Sequence, residues 1–160
     1  MEKLGYSLAL RGYTLRSGAA KGADSAFEGG CRVAKGSKEI WLPWPGYVSE
    51  YDQVFPQYPT EEHYTLASTL HPAWPYLKQG VRALHARNTG QILGQDLNTP
   101  VQFVICYTDD GVEDAENVTK STGGTGTAIK LASLRGIPVI NLRNEGGVDR
   151  IKQFVRESSC

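Results

Sequence analysis

Residues 101–108, VQFVICYT, form a near-continuous apolar run. An apolar run without alternation is expected of a strand buried on both faces, and such strands belong to parallel sheets covered by helices. The flanking chain must therefore supply helices, and it has the pattern to do so. Residues 2–11 place Leu4 and Leu8 on one side of a helix that Gly12 ends. Tyr13–Arg16 reads as a short strand, followed by a helix with Asp24 or Ser25 in its first turn. The stretch KEIWLPWPG is a second strand, stopped by Pro43 and Pro45. Residues 76–97 read as a longer helix with Val81, Leu84, Ile92 and Leu93 inward. Beyond the apolar run come a Gly-rich loop, a helix and the short strand run VINL. A last helix turns Val148, Ile151, Phe154 and Val155 inward. The order α-β-α-β-(insert)-α-β-α-β-α predicts an α/β fold, a parallel sheet with helices on both faces, in one domain over residues 1–160. The insert, at about 47–75, is rich in aromatics and Pro. It is too long for a simple connection, and a short helix is expected at about Glu61–Thr69.

Charge and cysteine usage narrow the function classes. The 17 basic and 17 acidic side chains cancel, so no basic excess favours a nucleic-acid partner. The three cysteines, at 31, 106 and 160, form no CxxC pair. Neither a metal site nor a disulfide framework is expected, and a reduced cytoplasmic setting fits. No apolar run approaches the ~20 residues of a membrane span, and the N-terminal stretch lacks the apolar core of a signal peptide. No cofactor is implied.

In open parallel sheets, ligands sit outside the carboxyl ends of the strands. The first strand is followed by RSGAAKGAD, with Arg16, Ser17, Gly18, Ala19, Lys21, Gly22 and Asp24. There Lys21 adds a charge, and Asp24 caps the helix or takes a ribose hydroxyl. The second is followed by PWPGY, whose Trp44 is a candidate for stacking on a base. The third ends in CYTDDG, with Tyr107 and Thr108. About fifteen residues further on lies STGGTGTAIK. Gly123, Gly124 and Gly126 allow close backbone approach, Thr125 and Thr127 add hydroxyls, and a helix from about Thr127 aims free N–H groups at an anion. This is neither GxxxxGK[ST] nor GxGxxG. A lone Gly-rich turn before a helix is often plain turn chemistry; two in one small α/β domain favour a phosphate-binding reading. His85 and Arg87, two apart on a helix, face different ways, and a solvated helix face is the ordinary expectation for them. Cys106 reads as a small buried hydrophobe.

The segments LRSGAAKGADSAFEGG, ALHARNTGQIL, VQFVICYT and TGGTGTAIKLASLRGIPVINL together resemble the SLOG superfamily of Rossmann-like domains. The likeness covers almost the whole chain and is greatest to the small stand-alone, YspA/YpsA-related DprA-like branch of phages and bacteria. It implies a three-layer Rossmann-like fold, a nucleotide or nucleotide-derived ligand at the Gly-rich loops, and a homo-oligomer (dimer or tetramer). Two departures stand out. Relatives begin with a further strand, which is absent ahead of the first helix. Related LOG phosphoribohydrolases use an Arg and a Glu as their catalytic pair. Here LHARN keeps Arg87 but has Asn88 where Lys is expected, and GGTGTAIK has Lys130 in place of the Glu. A hydrolase of this kind needs a carboxylate near the anomeric carbon, and an ammonium there opposes the developing positive charge. The implied function is therefore ligand binding without catalytic residues. In a phage this would suit a sponge for an immune signal such as a cyclic ADP-ribose or cyclic oligonucleotide, an analogy at the level of fold. Two alternatives stand beside it. One is a phosphoribohydrolase with its acid relocated to Glu113, Asp114 or Glu116, and the other is DprA-like binding of single-stranded DNA.

Overall fold

The computed structural model describes residues 1–48 and 55–157. Helix α1 (Glu2–Leu10) leads into strand β1 (Leu15–Ser17), helix α2 (Ala23–Val33) and strand β2 (Lys38–Ile40). Helices α3 (Glu61–Leu70) and α4 (Gln79–Leu93) follow, then β3 (Val104–Cys106), α5 (Gly126–Leu134), β4 (Val139–Asn141) and α6 (Gly147–Glu157). The element order is the expected one, and the insert carries its helix. The rest of the insert includes residues 49–54, which lie outside the described residues.

The strands run parallel, but in two pairs rather than one sheet. Leu15 registers with Lys38 and Ser17 with Ile40 in the first pair; Val104 registers with Val139 and Cys106 with Asn141 in the second. The strand β3 is therefore an edge, not the centre of a continuous sheet. Val104 and Ile105 are accordingly only half-buried, although the run predicts full burial.

Alternation along β3 and β4 sends successive side chains to opposite faces. Cys106 and Val139 pack with Ile92 and Leu93 of α4 and Ile129 and Leu131 of α5. Ile105 and Ile140 face Ile151 and Val155 of α6, with Leu4 and Leu8 of α1 beside them. On the other pair, Trp41 is fully buried, and its ring occupies the space that any Cβ at position 90 of α4 would need. Its indole N–H donates to Glu39 Oε1 at 2.7 Å, so burial leaves no orphan donor. Helices α1 and α2 meet through Gly5 and Gly30, where a Cβ would strike the facing backbone.

Two inward assignments are corrected. Val148 stays exposed in the first turn of α6 and Val81 in the first turn of α4. Val148 lies off the side of α6 on which Gly147, Ile151 and Val155 are buried, and Val81 borders the cleft described below. No helix among the described residues is long and apolar enough to cross a membrane.

Candidate functional site

A cavity of about 1600 Å³ runs between the strand pairs and reaches the loops beyond the carboxyl ends of β1 and β3. Both Gly-rich loops border it, and two neighbouring residues of α4 hold them. Arg87 donates through Nη1 to the Gly18 carbonyl. Asn88 donates through Nδ2 to the Gly124 carbonyl at 2.8 Å, and its Oδ1 accepts from Arg87 Nε at 3.0 Å. Sequence motifs separated by a hundred residues thus converge on one helical turn.

Arg87 and His85 are not on a solvated face. Arg87 is 6% and His85 7% exposed, because α4 is enclosed by α3, α5 and the strand pairs. Burial lowers the Arg87 pKa, and the nearby Asp24 and Tyr47 oppose that shift. A guanidinium nonetheless keeps its proton. Among the described residues no carboxylate lies within 4 Å of it. A desolvated cation without a paired anion is costly, and this one borders an open cleft. His85 accepts or donates at Nδ1 with the Thr127 hydroxyl at 2.7 Å, and its ring meets that of His71 at a tilt of 56°, 4.5 Å between centroids. Desolvation, then the neighbouring His71 and Arg87, push its pKa down to about 4, so it is neutral at pH 7.

Each loop is internally braced. Ser17 is buried and its hydroxyl donates to the Glu28 carboxylate, while the Ala19 amide donates to Ser17 Oγ at 3.3 Å. The Ala20 amide donates to Asp24 at 3.2 Å, closing the turn over the start of α2. Ala19 itself has φ 55, a left-handed conformation that an alanine adopts only at some cost. Lys21 and Gly22 stand exposed at the lip. In the second loop Gly123 has φ 74, which explains its glycine. Gly124 differs: its φ lies outside the left-handed region and a Cβ would meet nothing within 4 Å. Nothing in the fold requires glycine there, and Gly124 lies in the cleft lining. Thr125 is half-buried and Gly126 packs against Val118.

Several candidates are occupied elsewhere. Arg16 pairs with Glu39 at 3.3 Å and donates to the Thr99 carbonyl at 2.7 Å, so its charge is spent on the β1–β2 edge. Thr108 is buried, donating to Asp110 at 2.7 Å and accepting from Asn141 at 2.6 Å. Trp44 is not part of the cleft lining; it stands edge-on to Tyr47, ring centroids 5.1 Å apart, and Tyr47 lines the cleft instead. Tyr107 remains exposed at the rim.

No protein-family model, curated protein or solved structure matches this chain.

One organising residue escapes the sequence reading. Asp110 accepts from Thr122 and Thr108, each at 2.7 Å, and so ties the loop after β3 to the second Gly-rich loop. Those hydrogen bonds, Thr122 first, hold its pKa below the usual range. Only the DDG triplet following a strand hinted at it. Lys130 donates from Nζ to the Leu70 carbonyl at 3.0 Å, on the last residue of α3. Glu113 is taken by Arg150 at 2.8 and 2.9 Å and by the Asn141 amide at 2.7 Å. Asp114 caps Asn117 at 3.0 Å. Among the described residues no group of three His, Cys, Asp or Glu side chains is placed to hold a metal.

Proposed function

We propose that the cleft binds a nucleotide or nucleotide-derived small molecule, phosphate end inward, and does not react with it. The observation that carries this reading is Arg87: a buried guanidinium with no ion pair among the described residues, bonded to the first Gly-rich loop at Gly18 and, through Asn88, to the second at Gly124, at the mouth of a large cavity. An anion would supply the close counter-charge that Asp24, acting from a distance, does not, the exposed Lys21 would add to the field, and the first turn of α5 would direct N–H groups at it. Tyr47 and Tyr107 offer aromatic faces for a base. The non-catalytic part rests on the carboxylates. Lys130 occupies the position of the expected acid and ends on α3, while Glu113 and Asp114 serve structural bonds. A Rossmann-like assembly and membership of the SLOG superfamily belong to the same proposal. So does a role as a sponge for a cyclic nucleotide signal.

Calorimetric titration with AMP, ADP-ribose and cyclic di-adenylate, with their guanine counterparts, tests the binding. At least one is expected to bind saturably and raise the Tm, with no free base released on incubation. Replacing Arg87 with Gln should weaken that ligand roughly 10- to 100-fold, the value of a charged hydrogen bond. Since Arg87 also braces the loops, Lys21→Ala at the exposed lip is the companion variant, expected to weaken binding several-fold and to flatten its salt dependence. If none of these compounds produces heat or a Tm shift, the reading is wrong.

A further inference from the structure

Only the carboxyl end of the cavity belongs to the proposed ligand site. The whole space, about 1600 Å³, exceeds the ~300–1,000 Å³ typical of a small-molecule pocket. Its remainder is a slot between β1 and β3, walled by α1 on one side and α4 on the other. Leu8, Leu15, Leu84, Ile92, Val104 and Ile105 line it.

The slot's two long edges are strand edges. The Leu15 amide donates to Ser37 at 3.0 Å, and the Ser17 carbonyl accepts from Trp41 at 2.8 Å. In a parallel ladder alternate residues bond the same neighbour, so Arg16 turns its N–H and C=O away from β2 and toward the slot. The second pair mirrors this. The Val104 amide donates to Pro138 at 2.8 Å and the Cys106 carbonyl accepts from Leu142 at 2.8 Å, which turns the peptide groups of Ile105 toward the slot. No ladder joins β1 to β3 among the described residues. A small apolar ligand cannot satisfy the peptide donors and acceptors of Arg16 and Ile105 on the two sides at once. An extended backbone does so by construction, since its own groups alternate between its two edges.

We propose that the slot is a strand-acceptor site, filled by one extended apolar polypeptide segment from outside residues 1–160 and running parallel to β1 and β3. The direction follows from the carboxyl ends of β1 and β3 lying at the same end of the slot, where Arg87 and Asn88 hold the loop after β1 and the loop at Gly124, and Asp110 ties the loop after β3 to Thr122. Apolar side chains are required on both faces because helices cover both. A second copy of the described chain is a poor donor, because its strand-forming apolar runs are already placed in β1–β4. Once filled, the slot joins the two pairs into a single parallel sheet in the order β2-β1-segment-β3-β4.

The probe is a soluble peptide with a Val-Ile-Val-Ile-Val core and lysine ends, added to the 160-residue chain. Its control has proline at the central position, which removes a ladder donor. The expected result is one peptide bound per chain, a Tm raised by several degrees, and slowed hydrogen exchange at the Arg16 and Ile105 amides, with no effect of the control. Three results overturn the proposal. The peptide and its control behave alike; the two amides are already protected in a free monomer; or they are protected only in a self-associated form seen by sedimentation. None of these readouts involves the nucleotide.

Discussion

At the scale of single residues, the informative groups are those whose burial the local sequence does not announce. His85 is neutral because desolvation and its neighbours favour the uncharged ring. The consequence for stability has a definite sign. The unfolded state takes up the proton near pH 6.5 and the folded state only near pH 4. The contribution of His85 is therefore full above pH 6.5 and is lost as pH falls from there toward 4. Its limiting slope is about 1.4 kcal/mol per pH unit, with a ceiling of roughly 3 kcal/mol across the window. Urea midpoints at pH 7 and pH 5 should fall more steeply for the wild-type chain than for His85→Gln. Equal slopes would refute the assignment. Gly18 gives a second test, because an added Cβ would overlap the Arg87 guanidinium. Gly18→Ala should displace Arg87 and reproduce the binding loss of Arg87→Gln, whereas Gly124→Ala, which meets nothing in the protein, should harm only ligand binding.

At the scale of elements, the fold depends on a few close approaches. Helix α4 meets β2 where Gly90 lies under the Trp41 ring. A methyl group there overpacks the contact, and Gly90→Ala should cost about 1–3 kcal/mol despite its better helix propensity. Combined with Trp41→Leu the two effects should fall short of their sum, since both act on one contact; strict additivity in denaturant titrations would show that they do not touch. Helix α3 ends on the Lys130 ammonium, which places a cation against its last carbonyl. Lys130→Met should cost about 1 kcal/mol through that bond and the helix dipole while leaving ligand affinity unchanged. A large affinity loss would instead return Lys130 to the ligand site.

At the scale of the whole molecule, the sequence order of helices and strands was legible because it rests on local periodicity. Helix α3 begins where its capping residue Thr60 meets two glutamates, and Gly12 at φ 83 ends the first helical unit as the pattern implies. The two Gly-rich loops were likewise visible as candidate anion loops, since turn chemistry is written in consecutive residues. What periodicity could not reveal is which groups meet across the chain. Arg87 and Asn88 were carried by motif likeness, yet their burial and their grip on Gly18 and Gly124 depend on α4 being packed between α3, α5 and β1. Asp110 was missed because its bond to the Thr122 hydroxyl, twelve residues on in another loop, has no local signature beside the short-range one to Thr108. Arg16 and Thr108 lie beside the loops in sequence, and tertiary bonds divert them to other work. The run at 101–108 asked for a strand covered on both sides; the structure leaves that strand with one open edge. The sequence by itself determined elements, their order and the loop chemistry, because each is set by interactions within a few residues. Only the tertiary structure decided the pairing of strands, the slot between them and the buried charge at its mouth, because those depend on surfaces brought together from distant parts of the chain.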